Sequence, residues 1–270
     1  MSRTISQRLE RALKTTSRRG LRLNLRFKRR FSRRGQTVFI SALPKSGSTF
    51  LVNALSHATG YQNFFLGYQQ QNEQDLYLPN LIDAWSMDVV SHQHTRATAP
   101  NLQLMNEFAI RPVILTRNAY DAAVSLTDHL ENESRQTPLL DVPADFASRP
   151  RENRLDAVID LALPWYVQFV AGWATADHEG AVDCLWLRYE DVMADGTAAL
   201  RTVLAFHGVT ADDGRLASAL EAAKGGGSRL NKGVAGRGMA ELTPSQKQRI
   251  DSLTRHYPAV DFSMMGLPGA

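Results

Sequence analysis

The chain has 270 residues, 43% of them hydrophobic, 21% charged and 8% aromatic, and a formal net charge of +4. That length can bury a full core, and the balance excludes collagenous, disulfide-rich and low-complexity classes. The charge is lopsided: residues 1–34 hold 13 Lys or Arg against one acid, Glu10, so the segment carries about +12 and the rest of the chain about −8.

In chain order, residues 1–36 read as a basic arm, with Leu9, Leu13, Leu21, Leu23, Leu25, Phe27 and Phe31 scattered among the charges. Two readings stand: a solvated, disordered arm, or an amphipathic segment on an anionic membrane surface or a nucleic acid. No apolar h-region follows, so no secretory signal is expected. No stretch reads as the roughly 18 apolar residues that span a bilayer. The single cysteine, Cys184, lies in an apolar run, which points to a core position and to a reducing, cytoplasmic location, with peripheral membrane contact through residues 1–34 as the addition the arm allows.

Residues 37–270 read as one domain of alternating strands and helices. "TVFISA" from Thr37 predicts a strand, and the run after it predicts a helix with Phe50, Leu51, Ala54, Leu55 and Ala58 on one face and Gly60 as its stop. "DVVS" (Asp88 to Ser91) is a short strand, "NLQLMNEF" a helix, "PVILT" (Pro112 to Thr116) a buried strand and "AYDAAVSLTDHL" a helix. "VDCLWLRY" (Val182 to Tyr189) predicts a further strand and "TAALRTVLAFHG" a helix after it. Residues 154–177 and 212–223 add helical cover, and Thr243 with Pro244 caps a last helix to about His256. The alternation implies an α/β fold of three layers, a central, mostly parallel sheet flanked by helices. Segments 61–85 and 131–153 resist assignment, and long loops in such folds often carry function.

A strand, a tight loop and a helix start make an anion site, because the first helical turn presents unpaired N–H groups and the positive end of the helix dipole. In "PKSGSTF" (Pro44 to Phe50), Gly47 permits close backbone approach, Ser46, Ser48 and Thr49 offer hydroxyl donors, and Lys45 adds a full charge. A Walker loop carries its lysine after the last glycine; here it comes before, which disfavours a nucleoside triphosphatase. "PVILTRNAYDAAVSL" puts Arg117 at the C-terminal end of a parallel strand, where such sheets bind ligands, and Ser125 two turns into the next helix. Asp121, between them, is expected to order the helix start. Together the two segments form a two-phosphate constellation.

These motifs resemble those of the sulfotransferases that use 3′-phosphoadenosine 5′-phosphosulfate (PAPS). "PKSGSTF" is similar to their 5′-phosphosulfate loop, usually PKSGTTW, with Phe50 in place of the tryptophan. "LTRNAYDAAVSL" is similar to their 3′-phosphate motif, which implies that Arg117 and Ser125 hold the ribose 3′-phosphate. "WLRYED" (Trp186 to Asp191) resembles the strand and turn whose tyrosine, here Tyr189, lies near the adenine. "RLNKGVAGRG" is similar to the late R-K-G-x-x-G segment over the nucleotide: it keeps Lys232, Gly233 and Gly236, has Asn231 where arginine is usual, and carries Arg229 two residues earlier. The resemblance covers roughly residues 37–256 and implies a P-loop-like nucleotide site, PAPS as co-substrate and no catalytic metal.

The donor's charges need holding at two separated places, which one lysine-bearing helix start and one Arg/Ser pair would do. Lys45, before the glycine, can reach the oxygen bridging phosphate and sulfate, where leaving-group charge develops. The acceptor must lose a proton, a task suited to histidine. The family's base stands in a K-x-H arrangement after a strand, which puts His94 of "VVSHQHTRATAPN" on the base and His92 where lysine is common; His92 is the second candidate, and Arg96 could stand in for the lysine. His57, His129, His178, His207 and His256 read as structural, and Trp165, Tyr166, Phe169 and Trp173 as core. The acceptor would be a small molecule, carbohydrate or lipid bearing a hydroxyl or amine, with segments 61–85 and 131–153 shaping its pocket; no specific nucleic acid is expected. Two alternatives stay open: a nucleotide-dependent phosphotransferase, with Asp191 the nearest acidic metal ligand, and a non-catalytic protein binding membrane or nucleic acid through its basic arm.

Overall fold

In the computed structural model, which describes residues 19–70, 73–225 and 236–267, the run Thr37–Ala42 is strand β1, the centre of a five-stranded sheet. The others are β2 (Gln62–Asn63), β3 (Val89–Gln93), β4 (Pro112–Thr116) and β5 (Leu185–Arg188). Their order is β2-β3-β1-β4-β5 and every pairing is parallel. Ser41 stands opposite Gln93 on one side and Ile114 on the other, so the C-terminal ends of the three central strands open together. The chain leaves β1 for one edge and later returns to its other side, which makes this end the topological switch point.

The helices in chain order are α1 (residues 19–31), α2 (Ser48–Thr59), α3 (Leu78–Ala84), α4 (Ala99–Glu107), α5 (Ala119–Asn132), α6 (Arg151–Leu161) and α7 (Leu163–His178). After β5 come α8 (Tyr189–Ala194), α9 (Gly196–Phe206), α10 (Asp213–Gly225), α11 (Arg237–Glu241) and α12 (Pro244–Ser252). Val38, Ile40, Ala42, Val90, Val113 and Leu115 pack against α2, α9 and α10, while Phe39, Val89 and Ile114 pack against α5, α6 and α7. Both sheet faces are therefore covered, which is why Val38–Ile40 of β1 and Val113–Leu115 of β4 read as unbroken apolar runs. Gly60 ends α2 at φ 76°, its N–H on Ser56 O. Thr243 and Gln246 form a capping box on α12.

Several details differ from the sequence reading. β5 starts at Leu185, not Val182: its partner strand begins with Pro112, which has no N–H to extend the ladder, and Cys184 is half-buried. Tyr189 opens α8 rather than ending the strand. Segment 61–85 supplies the edge strand β2 and α3. Residues 151–178, α6 and α7 together, are long and apolar enough to cross a membrane by length and composition, against the expectation of no such stretch. Tyr166, Phe169 and Trp173 of α7 are nonetheless fully buried, so this run serves as one layer of the core.

The second half of the basic arm is helical and docked rather than solvated. Leu25 of α1 is buried, Lys28 Nζ donates to Ile82 O (2.7 Å) and Arg29 Nη2 to Glu107 O (2.9 Å). Arg33 pairs with Asp88 (3.0 Å), and Arg34 donates to the carbonyls of Phe108 and Ala109. Residues 1–18 lie outside the described residues.

Candidate active site

Between β1 and α2 the backbone turns sharply. Lys45 has φ 62° and Gly47 φ 78°. Gly47 adopts this left-handed conformation at little cost, whereas Lys45 carries a strain of about 1 kcal/mol. Hydrogen bonds to the loop's carbonyls hold it there: Arg117 Nη1 donates to Lys45 O (2.7 Å), Tyr166 Oη to Pro44 O (2.8 Å) and Ser46 Oγ to Leu43 O (2.6 Å). Ser46 is thus spent inside the loop and 1% exposed, which corrects the expectation that its hydroxyl serves a ligand. Gly47, Ser48 and Thr49 do line the cavity described below. α2 has no side-chain cap and no acid in its first turn, so its positive end is left to a ligand.

Arg117, 7% exposed, lies behind this loop. Its guanidinium covers the Tyr189 ring at 4.3 Å, and its Nε finds no acceptor among the described residues. Tyr189 in turn packs on Gly47, where an added Cβ would sit 2.9 Å from the ring. The guanidinium is thus held between the Lys45 carbonyl and the Tyr189 ring. Ser125 is buried on α5, and neither it, Arg117 nor Tyr189 lines that cavity.

Asp121 does something other than start its helix. Asn118 caps α5, accepting from the N–H of Tyr120 (3.0 Å). The Asp121 carboxylate accepts instead from Gly236 N (2.6 Å) and Gly238 N (2.7 Å), and Gly238 lies so close to α5 that a Cβ there would be 2.3 Å from the Tyr120 carbonyl carbon. Gly236 is thereby pinned to the first turn of α5. Arg229, Asn231, Lys232 and Gly233 lie outside the described residues.

A cavity of about 630 Å³ opens at the C-terminal ends of β1 and β3, lined by Lys45, Gly47, Ser48, Thr49, His92 and His94 among others. Both unassigned segments contribute to it: Phe65, Gln70 and Gln74 from one, Ser134, Gln136, Thr137 and Pro138 from the other. The His94 Nδ1 lies 2.7 Å from Ala42 O, and its backbone N–H donates to Gln74 Oε1 (2.7 Å). A carbonyl only accepts, so Nδ1 carries the proton and Nε2 keeps a lone pair. Burial lowers the His94 pKa, the hydrogen bond to Ala42 raises it in part, and the Lys45 charge lowers it again. Burial, with His94 adding to it, pushes His92 down to about 4. Both rings are neutral near pH 7.

The structure adds two residues that sequence reasoning missed. His129, read from the sequence as structural, lines the cavity, and its Nδ1 lies 3.0 Å from Glu133 Oε2. The other Glu133 oxygen is 3.9 Å from Lys45 Nζ. The spacing Ser125, His129, Glu133, four residues each time, marks one face of α5 and was the available signal. Arg96, the sequence candidate to stand in for the lysine, pairs with Glu73, Nη2 to Oε1 at 2.5 Å, and is not among the residues lining the cavity. Among the described residues no group of three or more His, Cys, Asp or Glu is placed to hold a metal ion.

Residues 36–257 match the sulfotransferase domain family. No curated protein matches the chain significantly. Among solved structures, mouse sulfotransferase SULT7A1 complexed with PAP is similar with a TM-score of 0.61 at 16% identity, covering 86% of this chain and 87% of that one. Retinol dehydratase in complex with androsterone and inactive cofactor PAP gives 0.55 at 14% identity, over 84% and 82%. A sulfotransferase from Alicyclobacillus acidocaldarius gives 0.51 at 15% identity, over 87% and 97%. At such identities these likenesses speak for a shared fold, while the family match spans most of the chain and includes the loop, strand ends and helix starts that build the cavity. The chain belongs to the sulfotransferase domain family.

Proposed function

We propose that this enzyme moves the sulfuryl group of PAPS to a hydroxyl or amine of a small acceptor seated in the cavity, with His94 as general base and Lys45 at the leaving oxygen. The observation that carries the reading is one cavity shared by an uncapped, lysine-bearing helix start and a histidine whose Nδ1–H is committed to a carbonyl. Two features of the residues present support a bound nucleotide: Arg117 keeps a buried donor without an acceptor among the described residues, and the first turn of α2 has neither a side-chain cap nor an acid.

PAPS, when bound, supplies an activated sulfuryl group. The N–H groups of Gly47, Ser48 and Thr49 and the Lys45 ammonium would hold the 5′-phosphosulfate. Arg117 and Ser125 would hold the 3′-phosphate, Tyr189 the adenine side, and Lys232 and Gly233 the nucleotide from the late segment. His94 Nε2 takes the acceptor's proton, and the hydrogen bond from Nδ1 to Ala42 O then stabilises the imidazolium. Lys45 counters the negative charge that grows on the departing oxygen, the kind of interaction that is stronger in the transition state than before it. Glu133, between Lys45 and His129, positions the lysine. The retinol dehydratase structure holds androsterone; in this chain amide and hydroxyl side chains such as Gln70, Gln136 and Thr137 share the lining with Phe65 and Leu126.

Titration of adenosine 3′,5′-bisphosphate (PAP) into the protein by calorimetry tests the reading. Binding is expected without magnesium, and Lys45→Ala and Arg117→Ala should each weaken it by about tenfold or more, the worth of a charge-assisted hydrogen bond. Tighter binding of ATP with magnesium than of PAP would overturn the assignment in favour of a phosphotransferase.

A further inference from the structure

The outer face of α1 has no part in sulfuryl transfer, yet it is built. Leu23, Phe27 and Phe31 recur every fourth residue and are 63%, 63% and 67% exposed, with the two phenyl rings 4.7 Å apart. Three large apolar side chains on one exposed stripe are more than scattered surface residues. Arg19, Arg22, Arg26 and Arg30, three or four residues apart, run beside them as a second stripe. The opposite face is anchored through Leu25, Lys28 and Arg29, so turning the apolar stripe inward would break those bonds.

We propose that this face docks the protein on an anionic lipid bilayer. Leu23, Phe27 and Phe31 enter the boundary between headgroups and acyl chains, and the arginines lie along the phosphates with their apolar stems partly buried. A bilayer satisfies both stripes at once. A nucleic acid would engage the arginines and leave the phenyl rings in water, and a second copy would bring two cationic stripes together.

The fold also sets the orientation. α1 docks at the N-terminal ends of the strands: Arg33 pairs with Asp88 just before β3, and Arg34 reaches the carbonyls of Phe108 and Ala109 upstream of β4. The cavity lies at the C-terminal ends. A protein resting on α1 therefore turns its cavity away from the lipid, and its acceptor arrives from the aqueous side.

Co-sedimentation of the full chain with vesicles tests this. The protein is expected to pellet with vesicles of phosphatidylcholine containing roughly one-third phosphatidylserine, far less with phosphatidylcholine alone, and less as salt is raised. Phe27→Ser with Phe31→Ser should lower partitioning about tenfold or more, and Arg26→Glu with Arg30→Glu should do the same; all four positions are exposed, so melting temperatures should stay at the parent value. Undiminished pelleting of the Phe27/Phe31 variant would overturn the proposal. So would absence of pelleting by the parent, duplex DNA binding that competes with vesicles and ignores the phenylalanines, or a lipid-free dimer that the serine variant dissolves.

Discussion

Replacing His94 by glutamine removes a base while keeping a polar side chain at the end of β3. General-base catalysis contributes about 10²- to 10⁴-fold, so kcat should fall by that factor, or about 3–5 kcal/mol in the barrier. The loss should appear in kcat and not in PAP affinity, because the loop's hydrogen bonds run to Arg117, Tyr166 and Ser46 and none involves the His94 ring. The parent's pH profile carries a second signature. His94 must be neutral to act; burial, offset in part by the Ala42 hydrogen bond and reinforced by Lys45, holds its pKa below the ordinary value of about 6.5. The acid limb of kcat/KM should therefore fall below pH 6.5, leaving the rate flat through neutrality. The assay is PAP release from PAPS with a pool of hydroxyl and amine acceptors, read across pH for the parent and for His94→Gln. A variant within tenfold of the parent, or one that keeps the parent's acid limb, would refute the assignment and move the base elsewhere, with His92 next in line.

Asp121→Ala should strip the acceptor from two N–H groups, Gly236 and Gly238, one of them in a residue buried against α5, and cost about 2–4 kcal/mol in denaturant melts; a loss below about 0.5 kcal/mol would deny the clamp. Acid should destabilise the fold through His92, whose pKa burial depresses from 6.5 to about 4. A depressed folded-state pKa means that the unfolded chain binds the extra proton, so the contribution is whole above pH 6.5 and lost as pH falls towards 4. The shift is worth up to about 3 kcal/mol, and His92→Gln should flatten the stability curve in that window.

Where side-chain pattern decides structure, the sequence was easily read. Thr243 announced its helix because its hydroxyl and Gln246 cap it reciprocally, Gly60 the end of α2 because only glycine takes a positive φ cheaply, and β1 and β4 because the middles of strands covered on both faces are apolar. The Lys45 loop was legible for the same reason: strand, glycine and helix start fall within a dozen residues. What stayed hidden depends on distant partners or on backbone. The two amides held by Asp121 lie more than a hundred residues away, and α1 is anchored partly on carbonyls of Ile82 and Glu107, groups every residue owns. Ser46 looked like a ligand donor because nothing local reveals that the turn folds its hydroxyl onto Leu43 O. His129 was one helical histidine among several until the fold laid α5 along the cavity.

The order of lysine and glycine follows from what one charge must do to two neighbours. On the first turn of α2, after the glycine, a lysine would ride the helix and serve the phosphates alone. At φ 62°, before the glycine, Lys45 leaves the loop beside Glu133, which follows α5, and near enough to His94 to depress its pKa. The strain of that conformation is offset by donors from three places, Arg117 after β4, Tyr166 on α7 and Ser46 within the loop. A fixed ammonium there discourages protonation of the base before reaction and stands ready to meet the charge of the departing oxygen. A neutral base and a permanent cation can thus share one small cavity at neutral pH.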